Sequence, residues 1–368
     1  MRNRVMTENR SRASKIFQAV LFALTIGMLV YFCVSDNNLS TLLSYVPSLS
    51  PAWLCCAFGC VVLNWIMDGM VIKTLVGQAY EAKYAFRHAF KVTMIGQYFN
   101  SVTPYAIAGQ PMQLLALTRQ GVSAGIALST LVRKFLVYQT TITGYSFFVI
   151  LVRYQFFRSK IQGFMALAFI GFLYQAFTVV ILALFTYSPR LTTRIIDGVT
   201  YLLTKIKIVK NPEELERKIR SQLEFYLENN KAMTGNRLLG ARLYGYTFLQ
   251  LTAVFAVPFF IYKAFHSPGA PFFDMIAAQS FVTMISSYMP LPGAAGAAEG
   301  SFLVIFQIFF SSDIIKQAML LWRLAAYYSC IIVGAFFAGI DSRKEKLKTK
   351  FGENADSVKQ AENRGPTV

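Results

Sequence analysis

Apolar runs of about 20 residues recur along the chain, divided by shorter polar stretches. They lie at Ile16–Val34, about Trp53–Val76, roughly Gly125–Val152, Phe164–Tyr187, Leu243–Phe265 with Pro258 inside it, and Ile314–Ile340. A run of that length, wound as a helix, matches the roughly 30 Å hydrocarbon core of a bilayer. The pattern predicts an all-α integral membrane protein with about six full transmembrane helices. Five basic residues (Arg2, Arg4, Arg10, Arg12, Lys15) precede the first run, which is longer than a signal-peptide core and has no A-x-A site after it. It therefore reads as a retained helix.

Two segments, Val92–Leu117 and Phe272–Phe310, interrupt the pattern. The first contains Gly96-Gln97-Tyr98-Phe99-Asn100, then Pro104, then Gly109-Gln110-Pro111. The second contains Ser286-Ser287-Tyr288, then Pro290-Leu291-Pro292-Gly293, then Gly296 and Glu299-Gly300. Each places polar residues before a proline, then small residues, then an apolar helix. Proline removes a backbone donor and glycine permits left-handed angles, so both helices should break. Broken backbone at membrane depth is tolerated inside protein or beside a watery cavity. Two such segments in matching halves predict re-entrant helices in an inverted repeat, with a binding site at the repeat interface. Half-helix N-termini near Gly109 and Gly296 would suit an anion such as a phosphate.

Charge adds an orientation. The 36 Lys and Arg outnumber the 18 Asp and Glu, giving +18 in a chain that is 55 % hydrophobic and only 15 % charged. Fifteen of these net charges fall in residues 1–15, 73–91, 119, 187–242 and 341–368. The excess of Lys and Arg in cytoplasmic loops places those segments, and both termini, inside. Arg153, Arg158 and Lys160, assigned outside, fit least well. The domain expected is residues 1–340, with 188–242 inserted as cytoplasmic surface helices. Within that insertion Leu191, Ile195, Val199, Leu202 and Ile206 share one helical face, the pattern of an interfacial amphipathic helix. Asn211-Pro212-Glu213-Glu214 then starts a surface helix to about Met233. Residues 341–368 read as a basic, disordered cytoplasmic tail.

Charges inside apolar runs are costly and mark function or pairing. They are Asp68, Arg133, Lys134, Glu299 and Arg323. Arg323 could pair with Glu299, and Arg133 lies too deep to snorkel. Lys134 reads as a snorkelling residue and Asp68 as one near the inner interface. Cys33, Cys55, Cys56, Cys60 and Cys330 sit in apolar runs as small hydrophobes. His88 and His266 stand apart from any metal-ligand spacing. There is no phosphate loop and no G-x-S-x-G, so no cofactor is expected and no catalytic residue is assigned.

The stretch Gly96–Arg119, with Asn100, Pro104, Gly109-Gln110-Pro111 and Arg119-Gln120-Gly121, resembles the lysylphosphatidylglycerol synthase transmembrane-region family. So do Arg133 in the next helix and the block from Pro290 to Glu299-Gly300. The resemblance spans about residues 15–340 and implies a flippase-like domain of a bacterial cytoplasmic membrane. It implies translocation of an anionic or aminoacylated phospholipid, of the lysyl-phosphatidylglycerol type. The residues expected to meet the headgroup are Asn100, Pro104, Gly109, Gln110, Arg119, Arg133, Pro290, Gly293, Gly296, Glu299 and Arg323.

In bifunctional members a cytoplasmic domain moves lysine from lysyl-tRNA to phosphatidylglycerol, which protects against cationic antimicrobial peptides. Here only 28 residues follow Ile340, so that transferase domain is not expected. Two alternatives stand beside translocation: phosphatidylglycerol lysyltransferase activity itself, and a non-transporting partner of a separate transferase. The expected partners are a membrane phospholipid, and either such a transferase or further copies of the chain. DNA and tRNA are not expected.

Overall fold

The computed structural model describes residues 43–80, 83–161, 163–188, 190, 193, 194, 198, 212–287 and 289–339. The expected first crossing, most of the amphipathic stretch from Leu191 to Ile206, and the tail lie outside the described residues. In chain order the helices are α1 (Pro51–Tyr80), α2 (Phe86–Val102), α3 (Gly109–Arg119), α4 (Ala124–Lys160) and α5 (Phe164–Tyr187). Next come α6 (Pro212–Gly235), α7 (Arg237–Ala264), α8 (Phe272–Ser286), α9 (Ala297–Phe306) and α10 (Ile315–Gly339). Single 3-10 turns, Pro104–Ala106 and Pro292–Ala294, separate α2 from α3 and α8 from α9. No strand occurs among the described residues.

Among the described residues, four helices are long and apolar enough to cross a membrane: α1, α4, α7 and α10. They coincide with the second, third, fifth and last runs read from the sequence. The fourth run forms α5, whose outer side exposes Phe169, Ile170, Leu173, Phe177, Val180 and Ile181. So continuous an apolar face belongs against lipid. Helix α4 extends eight residues past the expected Val152, to Lys160. At 1.5 Å per residue its 37 residues reach about 55 Å, longer than the hydrocarbon core. Its far end carries the awkward cations. Arg153 Nε meets Asp274 Oδ1 at 2.6 Å, tying α4 to the first turn of α8, and the Arg158 guanidinium lies over the Tyr154 ring.

The order long helix, helix, proline turn, short helix, long helix occurs twice, as α1 to α4 and as α7 to α10. The first helices of the two sets, α1 and α7, form the most extensive helix pairing among the described residues. Ala57, Val61 and Trp65 of α1 share a buried cluster with Val257 and Ile261 of α7. The two 3-10 turns touch each other, so the breaks of both halves meet.

Helix α6 is held on the bundle, not laid loosely over it. Leu223, Tyr226 and Met233 are buried, and the Gln222 carboxamide oxygen accepts from Gly125 N at 2.8 Å. A Cβ on Gly125 would strike the Gln222 carbonyl, so glycine sets this approach of α4 to α6. Burial pushes the Tyr226 phenol up to about 12, with the nearby Arg133 charge pulling the other way. Tyr226 is therefore a neutral group at any physiological pH.

Candidate functional site

The first break is built from local hydrogen bonds. Thr103 is extended (φ −115°, ψ 144°), its hydroxyl donating to the Phe99 carbonyl at 2.6 Å and accepting from Ala108 N at 3.3 Å. Pro104 opens the turn, and Tyr105 and Ala106 both take φ 53°. Left-handed angles cost non-glycine residues energy, and they cluster where a surrounding structure enforces them. Helix α3 starts at Gly109. A Cβ there would run into the Asn100 side chain, and one on Gly96 would run into Gln113. The two glycines thus set how closely α2 and α3 pack.

Beside this break lies a cavity of about 720 Å³, walled by α1, α2, α3, α4, α7 and α10. Its polar lining includes Asn64 and Asp68 from α1, Gln97 and Asn100 from α2, Gln110 from α3, Lys134 and Tyr138 from α4, and Gln250 from α7. Leu131, Phe135, Leu251 and Val254 supply apolar wall, and Tyr105 stands at the break, 57 % exposed. Lys134 Nζ lies 2.7 Å from Asp68 Oδ2. The same carboxylate accepts from Thr93 Oγ1 at 2.9 Å and, through Oδ1, from Gln250 Nε2 at 3.5 Å. Lys134 is therefore turned inward to a partner and does not snorkel, and Asp68 is buried in the bundle. This replaces the simpler sequence reading of both residues.

The second break repeats the backbone of the first. Leu291 is extended (φ −97°, ψ 150°), Pro292 opens the turn, and Gly293 and Ala294 have φ 59° and 52°. Its surroundings differ. The Tyr327 ring fills the space a Gly293 side chain would need. Arg323 Nη1 donates to the Gly293 carbonyl at 3.0 Å, while its Nε meets Glu299 Oε1 at 2.7 Å, forming the pairing anticipated from the sequence. The other Glu299 oxygen accepts from Gly296 N at 2.7 Å, closing the first turn of α9. Tyr327 Oη then reaches across to the Ser101 carbonyl at 2.8 Å, joining the second half to the first break. Both Arg323 and Tyr327 flank or lie within a π-helical turn, Leu324–Tyr328, that interrupts α10. Such turns are often found at functional sites.

The expected headgroup residues thus separate into groups. Asn100 and Gln110 line the cavity, and Pro104 and Gly109 shape its break. Gly293, Gly296, Glu299 and Arg323 form the second cluster, with Pro290 exposed just before its turn. Two residues join neither. Arg133, on the helix face next to Lys134, donates to Thr234 Oγ1 at 2.8 Å and Tyr187 Oη at 3.2 Å. It anchors α4 to α5 and α6. Arg119 is exposed in the last turn of α3, where a cation suits the helix C-terminus. The sequence reading omitted Asp68, Lys134 and Gln250 from the site. One acid and one base in separate apolar runs was the available signal, since isolated charges in a membrane seek partners.

The profile of the lysylphosphatidylglycerol synthase TM region matches residues 16–334. The chain belongs to this family. Within it, a "UPF0104 membrane protein" of Archaeoglobus fulgidus is 26 % identical over 304 residues, covering 81 % of this chain and 88 % of the relative. Both breaks, the cavity and the Glu299–Arg323 cluster fall inside the family segment. The protein is accordingly a multi-pass membrane protein of the lysylphosphatidylglycerol synthase TM family.

Proposed function

We propose that this protein carries a phospholipid headgroup across the membrane through the cavity beside the first break. The observation that carries this reading is the Asp68–Lys134 pair in the wall of a 720 Å³ space bounded by all four long apolar helices. A charged pair in hydrocarbon is expensive and is retained where it meets polar cargo or water. Lys134 would take the phosphate, and Asp68 would take an ammonium where the headgroup is aminoacylated. Asn100, Gln110 and Gln250 would complete the polar shell, while the acyl chains stay in lipid. Helices α1–α4 and α7–α10 would be oppositely oriented halves, with the joined breaks as the element that moves. The excess of Lys and Arg in the segments assigned inside supports placing both termini in the cytoplasm of a cytoplasmic-membrane protein.

The test is reconstitution into liposomes carrying fluorescent phospholipids, with and without an aminoacylated headgroup. Accelerated transbilayer movement of a charged lipid is expected, and no acceleration for any headgroup overturns the reading.

A further inference from the structure

A second cavity, of about 750 Å³, opens where the C-terminal end of α1 meets the N-terminal end of α7. Its wall comes from the C-terminal part of α1, Lys83 to Phe86 at the start of α2, and the N-terminal part of α7. Among its described lining residues, three are cations, Lys73, Lys83 and Arg242, and none is acidic. No ion pair joins any of the three to another described residue. Thr74, Gln78 and Asn236 add hydroxyl and amide groups that can donate hydrogen bonds. Lys73 lies five residues beyond Asp68 on α1, and Arg242 eight residues before Gln250 on α7. At 1.5 Å per residue the two cavities are offset by roughly 8–12 Å along the same seam.

We infer that this end cavity is a phosphate-binding site separate from the central one. Three like charges around one concavity repel each other, and an oxyanion relieves that repulsion. Arg supplies a planar fork of donors that matches phosphate oxygens, and lysines add point charges. Basic pockets at the ends of transmembrane helices gather anionic headgroups in this way. The ligand class is a phosphate group on an anionic lipid or in solution. The site does not depend on the protein being a transporter.

The test uses the full chain in detergent, with the central pair neutralised (D68N/K134Q) so that only the end cavity is charged. Thermal unfolding is followed while short-chain phosphatidic acid, short-chain phosphatidylcholine or inorganic phosphate is added. A ligand that binds only the folded state raises the midpoint in proportion to its occupancy. Phosphatidic acid should stabilise at least tenfold more potently than phosphatidylcholine. The further substitutions Lys73→Gln, Lys83→Gln and Arg242→Gln together should remove that difference. If inorganic phosphate also stabilises and competes, the site takes the phosphate group from either source; if only the lipid acts, it takes a headgroup. Equal response to all three additions overturns the inference, as does a response unchanged in the charge-neutralised protein. Should the combined variant not fold, Arg242→Gln alone should weaken the response, and added potassium chloride should weaken it in the parent protein. A response insensitive to both also overturns it.

Discussion

The two breaks share one backbone and have opposite settings. Each is an extended residue, a proline and two left-handed residues before a short helix: Pro104-Tyr105-Ala106 in one, Pro292-Gly293-Ala294 in the other. At the first, Pro104 to Ile107 are all exposed and the adjoining wall is a cavity. At the second, Pro292 is buried, Tyr327 occupies the place of a side chain at Gly293, and Arg323 clamps both the turn and Glu299. One half therefore keeps an open polar space and the other keeps a latch. The difference lies in side chains contributed by neighbouring helices, Lys134 and Asp68 against Arg323 and Tyr327, and not in the turns themselves.

Breaking the latch should have the largest effect. Arg323→Met strands a buried Glu299 carboxylate and should cost about 3–5 kcal/mol, read as a lowered unfolding midpoint in detergent. Neutralising both partners, as E299Q/R323Q, should recover much of that loss. The equivalent injury at the first break, Lys134→Met, should fall toward the lower end of that roughly 3–5 kcal/mol range, because the Lys134 side chain is 16 % exposed against 8 % for Arg323. The sharper contrast is functional. D68N/K134Q should regain stability yet leave transbilayer lipid movement abolished, whereas E299Q/R323Q should retain measurable movement.

Tyr327→Phe removes only the hydrogen bond to the Ser101 carbonyl. It should cost about 0.5–1.5 kcal/mol and change the rate of lipid movement more than the unfolding midpoint, because it loosens one half from the other. The smallest effect belongs to Arg119→Gln, an exposed position outside both settings, with a stability change within about 0.5 kcal/mol and an unchanged transport rate.

Much of this comparison was legible in the sequence, for reasons that differ by residue. The breaks announce themselves because Pro104 and Pro292 cannot donate within a helix, and glycines at 109 and 296 mark where helices restart. Four of the long helices follow from apolar run length alone. The Glu299–Arg323 pair was visible because a helix-start acid and a deep arginine lie in neighbouring elements. The Asp68–Lys134 pair was hidden, since 66 residues separate its members and each alone resembles an interface residue. Adjacent Arg133 and Lys134 point to different partners, a distinction of about 100° around α4 that composition cannot resolve. The filling of the second break by Tyr327 was likewise out of reach, because it depends on how α10 docks against that turn.

The central claim is that a lipid headgroup occupies the space between the first break and Lys134. A cryo-electron-microscopy map of the protein in nanodiscs of charged phospholipid tests it most directly. The expected result is headgroup density within hydrogen-bond reach of Lys134 and Gln110, with acyl chains leaving between helices toward the bilayer. A map in which lipid lines only the outer faces of the helices, leaving the Asp68–Lys134 cavity filled with water alone, would contradict it.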